Sequence, residues 1–174
     1  GLKLQPGQGV IVPSFTFTAS AEVMPLLGAI PVFAEVDEET FTLNPARLKD
    51  ALEAAKSSDI KVVGIMAVGL FGQPAQMDKI KAFAKSNNLW VLDDAAQSFG
   101  TEFQGSKTGT LVEVTCTSFF PAKPLGCYGD GGALFTNASE IAEIARSCRV
   151  HGQGSHKYQT FRLGMTARLD TIQA

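Results

Sequence analysis

Short apolar runs rich in β-branched residues alternate along the chain with amphipathic stretches. This alternation is typical of a parallel β-sheet whose strands are joined by crossover helices. The runs that read as strands cover residues 10–13, 31–36, 62–68, 90–93, 116–119 and 132–136. We therefore expect an α/β fold with a mainly parallel sheet and helices on both faces.

Amphipathic helices are predicted between these strands. One begins after Asn44, which is a good N-cap, with Pro45 at the first helical position, and it ends near Ser57. Its apolar residues recur on one face, as they do in the helices predicted at 77–87 and 139–149. No internal repeat or low-complexity linker interrupts the pattern, and 174 residues suffice for one domain core.

Composition and charge argue against nucleic acid and membranes as binding partners. The formal net charge is −2, so the chain lacks the basic surplus that binding to nucleic acid or to an anionic membrane requires. No apolar run approaches the roughly 18 residues of a membrane span, and residues 1–9 lack the features of a signal peptide. We expect a cytoplasmic protein that binds neither nucleic acid nor membrane.

The cysteines favour neither disulfides nor a metal site. Cys116, Cys127 and Cys148 include no CxxC pair, and the chain has only two histidines. Three thiols in this arrangement predict neither a disulfide framework nor a zinc site, and we expect them to be structural.

Polar motifs follow three of the predicted strands at the point where each strand ends. The motifs are PSFTF at 13–17, DDAAQ at 93–97 and SFFPAK at 118–123. Ligands of a parallel α/β sheet bind in the crevice outside the carboxyl ends of the strands. The three segments are therefore expected to meet at one site.

The residue types in these motifs match the needs of pyridoxal phosphate. This cofactor requires a lysine for its Schiff base, an acid for its ring nitrogen and a group that covers the ring. The spacing alone leaves simpler explanations open, because a lysine is often a surface charge, a strand-end aspartate a turn residue and a phenylalanine part of the core. The absence of a GxGxxG or P-loop pattern disfavours a Rossmann dinucleotide site.

The combined motifs resemble the DegT/DnrJ-type sugar aminotransferases over nearly the whole chain. The stretches that carry the resemblance are DAAQSFG at 94–100 and TSFFPAKPLGCYGDGG at 117–132, supported by VPSFTF at 12–17, LFGQ at 70–73, HGQ at 151–153 and RLDTIQA at 168–174. This family has the aspartate-aminotransferase fold, whose large domain carries a mainly parallel seven-stranded sheet with one antiparallel strand. The resemblance implies that residues 1–174 are one fragment of that pyridoxal-phosphate-binding large domain, truncated at both ends.

The resemblance also implies a role for each site residue. Lys123 would hold the cofactor as a Schiff base and move a proton between substrate and cofactor. Asp94, rather than Asp93, would keep the ring nitrogen protonated. The other implied contacts are Gln97 near the ring's 3-oxygen, Phe17 on the ring face and Ser118 on the phosphate. His151 and Arg168 are implied near the substrate, although a structural role explains His151 equally well.

The implied reaction is the amination of a keto nucleotide sugar, with glutamate as amino donor, for surface polysaccharide synthesis by a homodimer. The segments at 116–121 and 123–128 look most like enzymes that act on 3-keto UDP-N-acetylglucuronate. Lys123 opposes the sister family of sugar dehydratases, which has histidine in its place.

Two departures from the family pattern keep an alternative open. The family's Gly-Thr phosphate-binding segment would lie upstream of Gly1, and Thr166 stands where most members have the asparagine that reaches the neighbouring subunit's phosphate. The alternative is a folded fragment without activity of its own. Such a fragment is expected to bind the cofactor poorly and to associate through the edge left at strand 132–136.

Overall fold

The structure is a computed structural model that describes residues 1–156 and 158–174. Within them the main sheet contains strands β1 (Gly9–Pro13), β2 (Ile30–Ala34), β3 (Val62–Val68), β4 (Trp90–Asp94), β7 (Val114–Ser118) and β8 (Gly132–Thr136). A separate hairpin is formed by β5 (Glu102–Phe103) and β6 (Ser106–Lys107). The helices are α1 (Ala19–Leu26), α2 (Leu48–Ser57), α3 (Met77–Ser86) and α4 (Ser139–Cys148), and a 3-10 turn, Pro45–Arg47, precedes α2.

The sheet order is β2-β1-β3-β4-β7-β8. All neighbouring strands are parallel except β7 and β8, which are antiparallel. This confirms the predicted mainly parallel α/β sheet. In the described part of the chain, β8 pairs with a strand on one side only and is therefore an edge strand.

Two apolar layers enclose the sheet because successive strand residues point to opposite faces. Ile11 of β1 packs in the layer beneath α2 and α3, and Val10 packs in the layer that contains Met24 of α1. The helices thus cover both faces, as predicted.

Helix α2 begins as the sequence predicts. The Asn44 side chain accepts a hydrogen bond from the Ala46 N–H at 3.0 Å, and Pro45 takes the first position, where no donor is required. The buried residues of α2 then share one face, namely Leu48, Ala51, Leu52 and Ala55.

Other elements differ from the prediction. Helix α1 was not predicted, because Pro25 lies inside it and its apolar residues are spread around the helix. Strand β2 ends at Ala34 rather than at Val36, and β7 begins two residues earlier than predicted, at Val114. Across the described residues, no helix is both long and apolar enough to cross a membrane.

Candidate active site

Asp94 and Ser118 lie at the same edge of the sheet. They end the adjacent parallel strands β4 and β7, whose register pairs Asp94 with Cys116. The Ala95 N–H continues the ladder by donating to the Cys116 carbonyl at 2.8 Å. The carboxyl ends of these two strands therefore form the floor of the candidate site.

Two donors hold the Asp94 carboxylate. The Ser20 hydroxyl donates to Oδ2 at 2.8 Å, and the Ala96 N–H donates to Oδ1 at 3.1 Å. Ser20 belongs to the first turn of α1 and is only 4% exposed. This contact brings the segment between β1 and α1 to the same edge as Asp94.

Phe17 lies on that segment, two residues before α1 begins at Ala19. Its carbonyl accepts a hydrogen bond from the Ser20 N–H at 3.1 Å. The Phe17 side chain is 72% exposed, so it does not belong to the core. An exposed ring whose backbone is tied to the residue that binds Asp94 can cover a flat ligand.

The segment after β4 packs against the segment after β7. Phe99 lies 6.4 Å from Phe119 and 5.6 Å from Phe135, measured between ring centroids. Gln97 precedes Phe99 by two residues and has an exposed side chain. The aromatic contacts thus hold the Gln97 segment beside the loop that carries Lys123.

The Lys123 loop closes on itself between Phe119 and Cys127. The Cys127 N–H donates to the Phe119 carbonyl at 2.8 Å, and the thiol donates to the same oxygen at 3.0 Å. The Lys123 N–H donates to the Phe120 carbonyl at 2.8 Å. A side chain at Gly126 would collide with the Pro121 carbonyl oxygen, so the loop requires glycine there.

The Lys123 amine and the Ser118 hydroxyl are both available to donate hydrogen bonds to a ligand. Among the described residues, the Lys123 amine has no hydrogen-bond or salt-bridge partner, although the side chain is half-buried. The Ser118 Oγ accepts from the Phe120 N–H at 3.2 Å, which leaves its hydroxyl hydrogen free to donate.

Asp93 differs from Asp94 in burial and in charge. Asp93 is 0% exposed, and neither of its carboxyl oxygens has a hydrogen-bond partner among the described residues. Burial, and then the charge of Asp94, raise the pKa of Asp93 to about 7. The Thr115 hydroxyl on the neighbouring strand offsets part of this rise without forming a well-aligned hydrogen bond. Asp93 is therefore enclosed in the core and out of reach of a ligand at the edge.

His151 and Arg168 lie in the C-terminal segment, where Val150 and Thr166 form an antiparallel bridge. Both side chains are exposed. The His151 N–H donates to the Met165 carbonyl at 3.1 Å, and Arg168 donates to the Thr166 hydroxyl at 3.4 Å. In the residues described, no contact joins either side chain to Asp94 or Lys123.

The C-terminal segment nevertheless reaches the loop that follows Lys123. The Leu169 side chain packs against Gly131, and Gln173 packs against Gly129. The predicted substrate residues therefore belong to a segment that borders the site from the side of β8.

A separate concavity does not coincide with this site. It has a volume of about 860 Å³ beside β2 and α2, and its lining runs through residues 33–39 and the start of α2. None of the seven predicted site residues lines it. The predicted site is an open surface at the carboxyl edge of the sheet, where β4 and β7 end.

The residues missed by the sequence prediction are Ser20 and its neighbour Thr16. The Thr16 and Ser20 hydroxyls lie 3.1 Å apart. No sequence signal indicates this contact, because Thr16 precedes α1 and α1 itself was not predicted.

The chain is similar to known aminotransferases in both sequence and structure. The sequence profile of the DegT/DnrJ/EryC1/StrS aminotransferase family matches residues 1–174. The chain is 47% identical over 173 residues to the Pseudomonas aeruginosa UDP-2-acetamido-2-deoxy-3-oxo-D-glucuronate aminotransferase, covering 99% of this chain and 46% of that protein.

Solved structures agree with this match. A DegT DnrJ EryC1 StrS aminotransferase from Brucella abortus superposes with a TM-score of 0.94 at 46% identity, covering 97% of this chain and 46% of that one. NtdA from Bacillus subtilis, solved with bound cofactor PMP, gives a TM-score of 0.88 at 27% identity, covering 99% and 38%. The chain thus spans about half the length of the relatives it matches, or less.

Proposed function

This chain belongs to the DegT/DnrJ/EryC1/StrS aminotransferase family, and we propose that it carries the cofactor-binding part of a pyridoxal-phosphate-dependent enzyme. The proposed reaction converts a keto nucleotide sugar to an amino sugar, with glutamate as the amino donor. The observation that carries the proposal is the placement of Asp94, which two donors hold at the carboxyl edge between the segments of Phe17 and Lys123.

The side chains present fit pyridoxal phosphate. Asp94 keeps acceptor capacity on both oxygens after accepting one hydrogen bond on each. Lys123 has an amine without a partner among the described residues, Ser118 has a free hydroxyl hydrogen, and the Phe17 ring is exposed. When bound, the cofactor supplies an electron sink for the reacting carbon.

Each of these residues has a proposed role. Lys123 provides the covalent attachment and then moves the proton at the substrate carbon. Asp94 accepts a hydrogen bond from the protonated ring nitrogen, and Ser118 donates to the phosphate. Gln97 hydrogen-bonds beside the ring, and Phe17 covers one ring face.

The substrate class rests on the relatives. The P. aeruginosa protein is named for a 3-oxo UDP sugar acid, and we extend to this chain a 3-keto UDP-N-acetylglucuronate substrate. His151 and Arg168 are the proposed substrate contacts. A role in surface polysaccharide synthesis, a cytoplasmic location and a homodimeric state belong to the same proposal.

The experiment that tests the proposal is chemical trapping in the full-length protein. Pyridoxal phosphate is added, the adduct is reduced with borohydride, and the labelled peptide is identified by mass spectrometry. The expected result is a phosphopyridoxyl label on Lys123. A label confined to other lysines would contradict the proposed attachment.

A second candidate is a folded segment that has no activity of its own. The length of the chain favours it, because the match to the P. aeruginosa aminotransferase covers only 46% of that protein. Assay of residues 1–174 alone beside the full-length protein separates the two candidates. Turnover by the 174-residue chain would reject the inactive segment.

A further inference from the structure

Ser20 occupies a position that links two parts of the candidate site. Its hydroxyl lies 2.8 Å from Asp94 Oδ2, and its N–H donates to the Phe17 carbonyl at 3.1 Å. One residue of α1 thus contacts both the proposed partner of the ring nitrogen and the backbone of the residue proposed to cover the ring. The contact with Asp94 joins residues that are 74 positions apart in sequence.

The direction of the hydrogen bonds follows from the donor inventory. An ionised carboxylate only accepts, so the single hydroxyl hydrogen of Ser20 must point to Asp94. The contact of 3.1 Å between the Thr16 and Ser20 hydroxyls therefore has Thr16 as its donor. The result is a directed chain from Thr16 to Ser20 to Asp94.

We propose that Ser20, supported by Thr16, is a positioning residue that fixes the Asp94 carboxylate in the orientation needed to pair with the cofactor's ring nitrogen. This inference rests on the proposed function, since it assumes that Asp94 faces that nitrogen. The Ser20 bond occupies one lone pair of Oδ2, and the Ala96 N–H occupies one of Oδ1. Each oxygen keeps a further lone pair that can accept from another donor.

The burial of Ser20 strengthens its effect. At 4% exposure, little water can replace its hydroxyl beside Asp94. The hydroxyl therefore holds the carboxylate in one orientation, and a protonated ring nitrogen requires an acceptor that is correctly oriented toward it. Loss of the hydroxyl would free the carboxylate to rotate and weaken its pairing with the ring.

The test uses Ser20→Ala and Ser20→Thr in the full-length enzyme, with Ser147→Ala as the matched control. Ser147 is also a buried helical serine, 9% exposed, and its hydroxyl donates to the Gln153 carbonyl at 2.7 Å. The readouts are the nitrogen NMR shift of pyridoxal phosphate labelled at the ring nitrogen, the affinity for this cofactor, kcat, and thermal unfolding.

Ser20→Ala is expected to move the ring-nitrogen resonance toward the unprotonated value and to lower kcat by about 10- to 100-fold. Ser20→Thr should restore both, because it retains the hydroxyl, and Ser147→Ala should change neither even if it unfolds at a lower temperature. A protonated ring-nitrogen resonance in Ser20→Ala, with kcat within about twofold of the control, would overturn the inference.

Asp94→Asn distinguishes this failure from failure of the proposed function. If Asp94→Asn shifts the resonance and Ser20→Ala does not, only the positioning role of Ser20 is wrong. If Asp94→Asn also leaves the resonance unchanged, Asp94 does not pair with the ring nitrogen, and the proposed function and this inference both fail.

Discussion

Asp93 and Asp94 are consecutive residues of β4, yet only Asp94 has hydrogen-bond donors on its carboxyl group among the described residues. Strand alternation turns the two side chains to opposite faces of the sheet. Asp93 therefore enters the apolar core, while Asp94 meets the α1 segment. We therefore expect Asp93 to affect stability and Asp94 to affect function.

Asp93 should make stability depend on pH. Its pKa is about 7 in the folded protein against an ordinary value of 3.8, so the folded state retains a proton that the unfolded chain releases. Stability should then fall as pH rises from about 4 to about 7, by at most on the order of 4 kcal/mol. Urea unfolding across this range measures the slope.

Asp93→Asn should abolish that slope, because the amide does not titrate. Asp130→Asn, at an exposed position, serves as the control and should retain it. An equal slope in wild type and Asp93→Asn would show that Asp93 is not the group responsible.

Cys127 should control the geometry of the Lys123 loop. Its sulfur lies 3.0 Å from the carbonyl oxygens of both Phe119 and Gly129, and its single hydrogen can be donated to either of them. Cys127→Ala should therefore slow the borohydride-trapped attachment of pyridoxal phosphate to Lys123, while costing about 0.5–1.5 kcal/mol of stability. Cys127→Ser should retain most of the rate, because its hydroxyl can donate to the same carbonyls.

The matched control for the thiol is Cys148→Ala. Cys148 is also partly buried, and its weaker contact is to the Leu163 carbonyl at 3.7 Å. If Cys148→Ala and Cys127→Ala slowed the attachment of pyridoxal phosphate to Lys123 equally, the Cys127 thiol contact would have no specific role in the loop.

Gly69 should be intolerant of a side chain. A Cβ at this position would collide with the hydroxyl of the fully buried Ser98, and the Gly69 N–H donates to the Asp94 carbonyl at 3.0 Å. Gly69→Ala should destabilise the protein by about 1–3 kcal/mol through overpacking. Adding Ser98→Gly should recover part of this loss in a double-mutant cycle followed by urea unfolding. Strict additivity of the two changes would contradict the predicted clash.

The exposed edge of β8 should promote association of the 174-residue chain. Leu134 is 42% exposed on this strand, whose outer side has no paired strand in the described residues. Leu134→Lys should shift the sedimentation profile toward monomer, because a charge on an edge strand disfavours pairing with another chain. Leu163→Lys, at an exposed apolar residue outside the sheet, should leave the profile unchanged.

The sequence predicted the parts of the fold that local chemistry decides. Asn44 and Pro45 mark the start of the α2 region because capping and proline geometry act within a few residues. The apolar runs likewise located every strand of the main sheet. Helix α1 was not predicted, because it contains Pro25 and because its scattered apolar residues form no clear apolar face.

The candidate site was predictable only in part. Strand ends located Asp94 and Ser118, because the carboxyl ends of parallel strands share one edge. The bond between Ser20 and Asp94 was not predictable, since it joins distant residues and depends on an unpredicted helix. The burial of Asp93 likewise depends on tertiary packing around β4, which no local motif reports.

The most direct test of Lys123 as the attachment residue is the visible absorption spectrum of the full-length protein carrying Lys123→Ala. The expected result is loss of the lysine-linked cofactor band and of amino transfer. The unfolding midpoint measured without cofactor should remain unchanged, because a loop lysine without partners among the described residues contributes little to stability. Lys85→Ala, at an exposed helical lysine, should retain both band and turnover. Retained turnover in Lys123→Ala would contradict the assignment of Lys123 as the attachment residue.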